Sequence, residues 1–189
     1  MNEILKNPEE IKQRIRNLEE KLETSPDPEI LGEAGTLYLV LYDLEEDPDY
    51  LERAVNYLRE ATDRHPSSAK LMANFGLALV ERGAPMEAIS VLRKALQLPS
   101  EEHKPHFTAH YLLGKIYMGM GKLEESLEHL EEAHRMEPKN YDCWIDLAVA
   151  YAKIGDVDEA KYQLRRILEE QPDNELAREN LQRLKETPL

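Results

Sequence analysis

Two stretches of this chain read alike at a fixed interval: Gly121–Pro138, GKLEESLEHLEEAHRMEP, and Gly155–Pro172, GDVDEAKYQLRRILEEQP. Each opens on glycine, carries a glutamate followed by a small residue (Ser126, Ala160) at the same offsets, and closes on proline. The two glycines lie 34 residues apart, and so do the two prolines. Self-similarity at a period of this size marks a chain built from stacked supersecondary units, so the register decides the fold.

With Tyr141 as the first position of the last unit, Trp144, Leu147, Ala148 and Tyr151 take positions 4, 7, 8 and 11, and Ala160, Leu164, Ile167 and Pro172 take 20, 24, 27 and 32. One period earlier, from Phe107, the same positions hold His110, Leu113, Gly114, Tyr117, Ser126, Leu130, Ala133 and Pro138. Before a four-residue insertion, His103–His106, a unit starting at Ala69 shows Met72, Phe75, Gly76, Leu79, Ala88, Leu92 and Ala95, with Pro99 one place early. A more worn first unit keeps Ala54, Leu58, Ala61 and Pro66 in its second half. Ala34, Gly35 and Tyr38 fit its first half if about seven residues are inserted after them.

Small residues at 8, 20 and 27, an aromatic at 11 and a proline at 32 resemble the tetratricopeptide repeat (TPR) family over Pro28–Asn174. The resemblance implies an all-α fold, a right-handed α-solenoid of helix-turn-helix units. An N-terminal helix (1–26) is expected, then four units (about 28–68, 69–102, 107–140 and 141–174), then a C-terminal capping helix (175–189). Ile167 at position 27, and a Trp at position 4 in the last unit alone, depart from the family pattern.

The same organisation follows from the residues. Leu112, Leu113, Ile116 and Tyr117 recur at helical spacing, Gly121 breaks the run, and Leu123, Leu127 and Leu130 resume it. Gly114 and Ser126 are small where the two helices must cross closely, and Ala133 is small where the next unit must lie. Pro138 stops the second helix, because proline lacks a backbone donor and disfavours helix in the residue before it. One such pair cannot bury its own apolar faces, whereas a stack can. After Pro172, Leu176, Ala177, Leu181 and Leu184 predict one apolar face on a capping helix. At the front, Asn7-Pro8 predicts a helix start, and Ile11, Ile15, Leu18 and Leu22, with Ile4 one heptad earlier, form a short seam. That seam either folds back onto the first repeat or pairs two chains as a homodimer.

Composition narrows the function. The 189 residues are 41% hydrophobic, enough for a core, and only 8 are glycine, as befits helices. The formal charge of −14, from 24 basic and 38 acidic residues, disfavours a phosphate backbone or an anionic membrane surface. A single cysteine, Cys143, excludes an internal disulfide and a cysteine-based zinc site. No signal peptide and no apolar run of about 18 residues is found, so a soluble, cytoplasmic protein is expected. No Walker loop, HExxH or nucleophile elbow occurs; neither an enzyme nor a cofactor is expected. His103, His106 and His110, with His129 and His134, are weighed as metal ligands and set aside, because the insertion and Pro105 disturb their spacing. The acidic run Asp43–Asp49 lacks the glycine of a calcium loop and predicts a solvated turn, with Asp47-Pro48 starting a helix.

Function is then expected at the surface. In TPR proteins the first helices line a concave groove that holds a peptide or a partner helix, at positions 2, 5, 9, 12 and 13. Carried over, these are Lys70, Ala73, Leu77, Val80 and Glu81; Thr108, Tyr111, Lys115, Met118 and Gly119; and Asp142, Ile145, Val149, Ala152 and Lys153. Their apolar members suit an apolar or amphipathic segment. The carboxylate clamp of chaperone-binding relatives is not matched: Gly32, Thr36, Asp142 and Asp146 stand where its residues would be, and only Asn74 agrees. The expectation is a non-enzymatic adaptor or scaffold with a protein or peptide partner; the alternative is an assembly unit that self-associates through the N-terminal helix.

Overall fold

The computed structural model describes residues 7–186. Among them are ten α-helices and no strand: α1 Pro8–Leu22, α2 Pro28–Glu45, α3 Pro48–Arg64, α4 Ala69–Glu81, α5 Pro85–Gln97, α6 Lys104–Gly119, α7 Leu123–Met136, α8 Tyr141–Ile154, α9 Val157–Glu170 and α10 Glu175–Glu186. The chain divides into two compact units, residues 1–109 and 110–189. Ile4 lies outside the described residues.

Local chemistry sets the helix ends. Asn7, Asp27, Asp47, Ser68, Asn140 and Asp156 cap N-termini, each side chain accepting a backbone N–H of the first turn. Proline follows the cap at Pro8, Pro28 and Pro48, where its missing N–H costs nothing. α3, α7 and α9 each stop two residues short of Pro66, Pro138 and Pro172. Gly83, Gly121 and Gly155 turn the chain between paired helices at φ of 76°, 73° and 100°. All three stand at position 15, and a left-handed backbone there favours glycine. In the first pair the left-handed residue is Glu46, at φ 54°.

Each pair packs through one recurring contact. An added Cβ would stand 2.7 Å from Leu58 Cγ at Gly35, 2.3 Å from Leu92 Cδ2 at Gly76, and 2.6 Å from Leu130 Cγ at Gly114. The position-8 residue is therefore glycine because the position-24 leucine occupies the space a side chain would need. In the last pair the same places hold Ala148 and Leu164, both in one buried cluster. The extra residues of the first unit lengthen α2 to 18 residues, against 13 in α4. The His103–His106 insertion extends α6 backwards to Lys104, so helical winding does run through it, with Pro105 tolerated in the first turn.

In the first unit α1 folds back onto α2. Ile11, Ile15 and Leu18 are buried there, and Leu22 packs beside Leu31, Ala61 and Leu71. Glu19 fastens the contact: its Oε1 accepts hydrogen bonds from Tyr38 at 2.8 Å and Tyr57 at 2.9 Å. Tyr38 stacks on both Tyr50 and Tyr57 and lies under the Arg53 guanidinium. In the second unit α10 closes the end, with Ala177 and Leu181 packed among Trp144, Ile145, Leu164 and Ile167. The large Ile167, where earlier units have alanine, thus shares a cluster with the small Ala177. Leu176 does not join the predicted face; it is 56% exposed, and the packed stripe is Ala177, Leu181 and Leu184.

Candidate binding faces on the first helices

In the first unit, α2 and α4 present one face. Thr36 donates its hydroxyl to Gly32 O at 2.7 Å, as a residue one turn on can, and accepts a hydrogen bond from Asn74 Nδ2 at 3.0 Å. Lys70 is exposed, and Asn74 and Leu77 are half-buried. Glu29, Glu33, Thr36, Lys70 and Asn74 border an open cleft of about 300 Å³. Ala73 is buried and presents nothing. Thr108, half-buried on α6, lies at the end of this unit.

In the second unit, Tyr111, Lys115 and Met118 come from α6 and Asp142, Ile145, Val149 and Lys153 from α8. Tyr111 donates its hydroxyl to Asp146 Oδ2 at 2.8 Å, and Lys115 Nζ sits 5.3 Å from the Tyr111 ring centre. Burial raises the Asp146 carboxyl above its ordinary range, while the Tyr111 hydrogen bond and the Lys115 charge oppose the rise. Burial, and then the Asp146 charge, push the Tyr111 hydroxyl up, so it stays a donor at neutral pH. Lys115, Asp142 and Lys153 are exposed; Met118 and Val149 are half-buried. Ile145 is the exception. At 6% exposure it belongs to the core that α10 covers, so a partner cannot reach it there.

Sequence reasoning left Asp146 out of the face, although it is the residue Tyr111 engages. The signal was a polar residue at position 6, between apolar neighbours, in two units: Asn74 and Asp146. Each shares a hydrogen bond with the preceding first helix: Asn74 donates to Thr36, and Asp146 accepts from Tyr111. It also missed Asn180, Arg183 and Leu184, which line a cleft with Val149 and Lys153. Of these the sequence places only Leu184, on the apolar face of the capping helix, but α10 packs on both α8 and α9, as the first helix of a further unit would.

The remaining titratable clusters are accounted for within the fold. His106 Nε2 lies 2.9 Å from Leu98 O, and His110 Nδ1 lies 2.9 Å from His129 Nδ1. One ring of that pair must donate and the other accept. Among the described residues no group of three or more His, Cys, Asp or Glu could hold a metal ion. Cys143 is fully buried, and desolvation pushes its thiol to about 12, far from a nucleophile's range. The acidic run is exposed, with Asp47 capping α3. Among the described residues no helix is long and apolar enough to cross a membrane.

Tetratricopeptide-repeat family models match residues 30–103 and 117–184, between them most of the helical pairs. The chain is a tetratricopeptide-repeat protein. A TPR repeat-containing protein of Methanocaldococcus jannaschii is 29% identical over 140 residues, which is 74% of this chain but 23% of that protein. The chain thus spans about a quarter of that curated relative. Among solved structures, MamA superposes with a TM-score of 0.69 at 21% identity, covering 94% of this TPR chain and 92% of the other. YrrB, described as a TPR protein with an unusual peptide-binding site, superposes at 0.67 and 21%, covering 89% and 82%. At such identities the likeness shows the all-α repeat fold. Membership of the family makes this chain a protein-interaction or scaffold module in the broad sense.

Proposed function

We propose that this chain is a non-enzymatic adaptor that binds an extended peptide or an amphipathic helix on its first helices. Lys70, Asn74, Leu77 and Thr108 carry the binding in the first unit, and Tyr111, Lys115, Met118, Asp142, Val149 and Lys153 in the second. The observation that carries the reading is what the first helices leave open. Each second helix commits its position-24 leucine to the core, as Leu58, Leu92, Leu130 and Leu164 show, while Met86 and Tyr162 on second helices stay exposed. First helices bury one face and still keep Leu77, Met118 and Val149 partly open beside cations and hydrogen-bonding groups. Partly open apolar side chains among polar groups are what a segment-binding face needs. YrrB, with its peptide-binding site, is a precedent on the same fold. Self-association through α1 has less support, because Ile11, Ile15 and Leu18 are consumed within the chain.

Comparative pull-down tests the proposal. Leu77→Ala with Met118→Ala should remove specific partners from the captured set. Met86→Ser, on the second helix α5 at a side chain 67% exposed, should leave the set intact. Retention of every partner by the double variant, or their loss with Met86→Ser, contradicts it.

A further inference from the structure

Four of the six large apolar side chains that stand exposed among the described residues lie at or beside turns between paired helices: Leu44, Met86, Met120 and Ile154. In the second unit they fall in register. Met120 and Ile154, 42% and 39% exposed, both take position 14, and the half-buried Leu123 and Val157 both take position 17. The Tyr111–Asp146 hydrogen bond joins α6 to α8. Met120 follows Tyr111 by nine residues and Ile154 follows Asp146 by eight, so both stand at the C-terminal ends of neighbouring helices, at one level. At about 100° per residue, position 14 points roughly 140° away from position 9, so this ridge is not the groove face. In the first unit the corresponding residues are Glu45 and Arg82, in ion pairs with Lys12 and Glu87, both at 2.8 Å. Leu44 and Met86 stand out of register with each other there.

The surroundings of the ridge are acidic. Positions 16 to 19 supply Glu124, Glu125, Asp156, Asp158 and Glu159 against Lys122, with Lys153 at position 13 the other nearby cation. Three of these carboxylates are engaged: Glu125 with Lys122 at 3.8 Å, Asp156 capping α9 at the Glu159 N–H, and Glu159 accepting from Gln163 at 2.6 Å. Glu124 and Asp158, both exposed at position 18, hold no hydrogen bond or ion pair among the described residues. We propose that this edge of the second unit is a docking site, separate from the groove, for a basic amphipathic segment of a partner protein. Two apolar side chains of the segment cover Met120 and Ile154, and a lysine or arginine beside each pairs with Glu124 and Asp158. Neighbouring helices pack about 8–10 Å apart. Residues three apart in an extended segment, or seven apart on a helix, span about 10 Å and match that interval. Charge selects the occupant: a second copy of a chain at −14 and an anionic membrane surface are both repelled by an acidic edge. The proposal goes beyond the groove reading and does not depend on it.

Subtractive panning tests it. A random dodecapeptide library displayed on phage is selected on the immobilised full chain and then depleted on the full chain carrying Glu124→Lys and Asp158→Lys. The surviving sequences should carry lysine or arginine next to large apolar residues that are three or seven positions apart. A synthetic peptide of the leading sequence should bind about tenfold more weakly to a chain carrying Met120→Ser and Ile154→Ser, and binding should weaken as salt rises. It should bind the Leu77→Ala, Met118→Ala chain as tightly as the parent. All four edge positions are exposed, so the fold tolerates the changes; Glu124→Gln with Asp158→Gln should give a smaller loss in the same direction. A surviving pool that is absent, acidic or wholly polar overturns the proposal, and so does unchanged binding by the Met120→Ser, Ile154→Ser chain. Binding lost with Leu77→Ala and Met118→Ala instead would place the peptide in the groove and overturn the edge site alone. The adaptor reading fails separately, through the pull-down with that same double variant.

Discussion

Gly114 and Gly119 lie five residues apart on α6 and should respond to alanine with opposite signs. A Cβ at 114 would meet Leu130 Cγ at 2.6 Å and the Leu130 backbone nitrogen at 3.3 Å, whereas at 119 nothing lies within 4 Å. Gly114→Ala should therefore lower stability by about 1–3 kcal/mol, overriding the gain in helix propensity. Gly119→Ala should raise it by about 0.5–1 kcal/mol. Urea unfolding of both variants checks the pair; equal signs would refute the crossing geometry. His134 invites a different test. Its ring lies 4.8 Å from that of Trp144, and its Nδ1 is buried with no hydrogen-bond partner. Burial, and then the Arg166 charge, depress its pKa from 6.5. The unfolded chain then takes up the proton first as pH falls. The stability His134 contributes is present above pH 6.5 and is lost as pH drops through the lower folded value. His134→Leu, the residue at this position in Leu96 and Leu168, should stabilise the chain. Its advantage over the parent should widen from pH 7 to 5, read as the difference in urea midpoint; a constant difference would contradict this. Both residues were legible in the sequence, Gly114 from its register and His134 as an intruder among leucines. The orphaned nitrogen was not, because it depends on how Trp144 is oriented.

Among the elements, the first pair shows what a worn repeat costs. Gly83, Gly121 and Gly155 end their helices with no strain, but Glu46 adopts the same left-handed conformation at φ 54° with a side chain attached. Glu46→Gly should raise the thermal midpoint by the equivalent of about 0.5–1 kcal/mol, less whatever glycine adds to the entropy of the unfolded chain. A fall would mean that the Glu46 side chain has a role in the turn. Missing glycine is also why the sequence register slipped here and needed an insertion: the residues went into a longer α2. Helix stops before Pro66, Pro138 and Pro172 were readable because proline acts locally. The exposure of Leu176 and the burial of Ile145 were not, because both depend on the angle at which α10 settles against α8. The N-terminal seam was ambiguous in sequence, since Ile11, Ile15 and Leu18 suit another chain as well as α2. The Glu19 bonds to Tyr38 and Tyr57, from residues 19 and 38 positions away, anchor it on its own chain.

For the whole molecule, a 34-residue period with small residues at fixed places specified helical pairs, because stacking needs close approach at regular intervals. It said less about binding. Groove positions carried over from the family put Lys115 and Met118 on an accessible face, yet the pairing of Tyr111 with Asp146 and the cleft beside α10 arise from contacts between helices. Binding on first helices rather than second helices is the claim that joins fold to function. Site-specific photo-crosslinking tests it most directly, with a photoreactive residue placed in turn at Leu77, Met118, Met86 and Tyr162 of the full chain during partner capture. Adducts with the partner at Leu77 and Met118, and none at Met86 or Tyr162, are predicted. Adducts at Met86 and Tyr162 without any at Leu77 or Met118 would contradict the account.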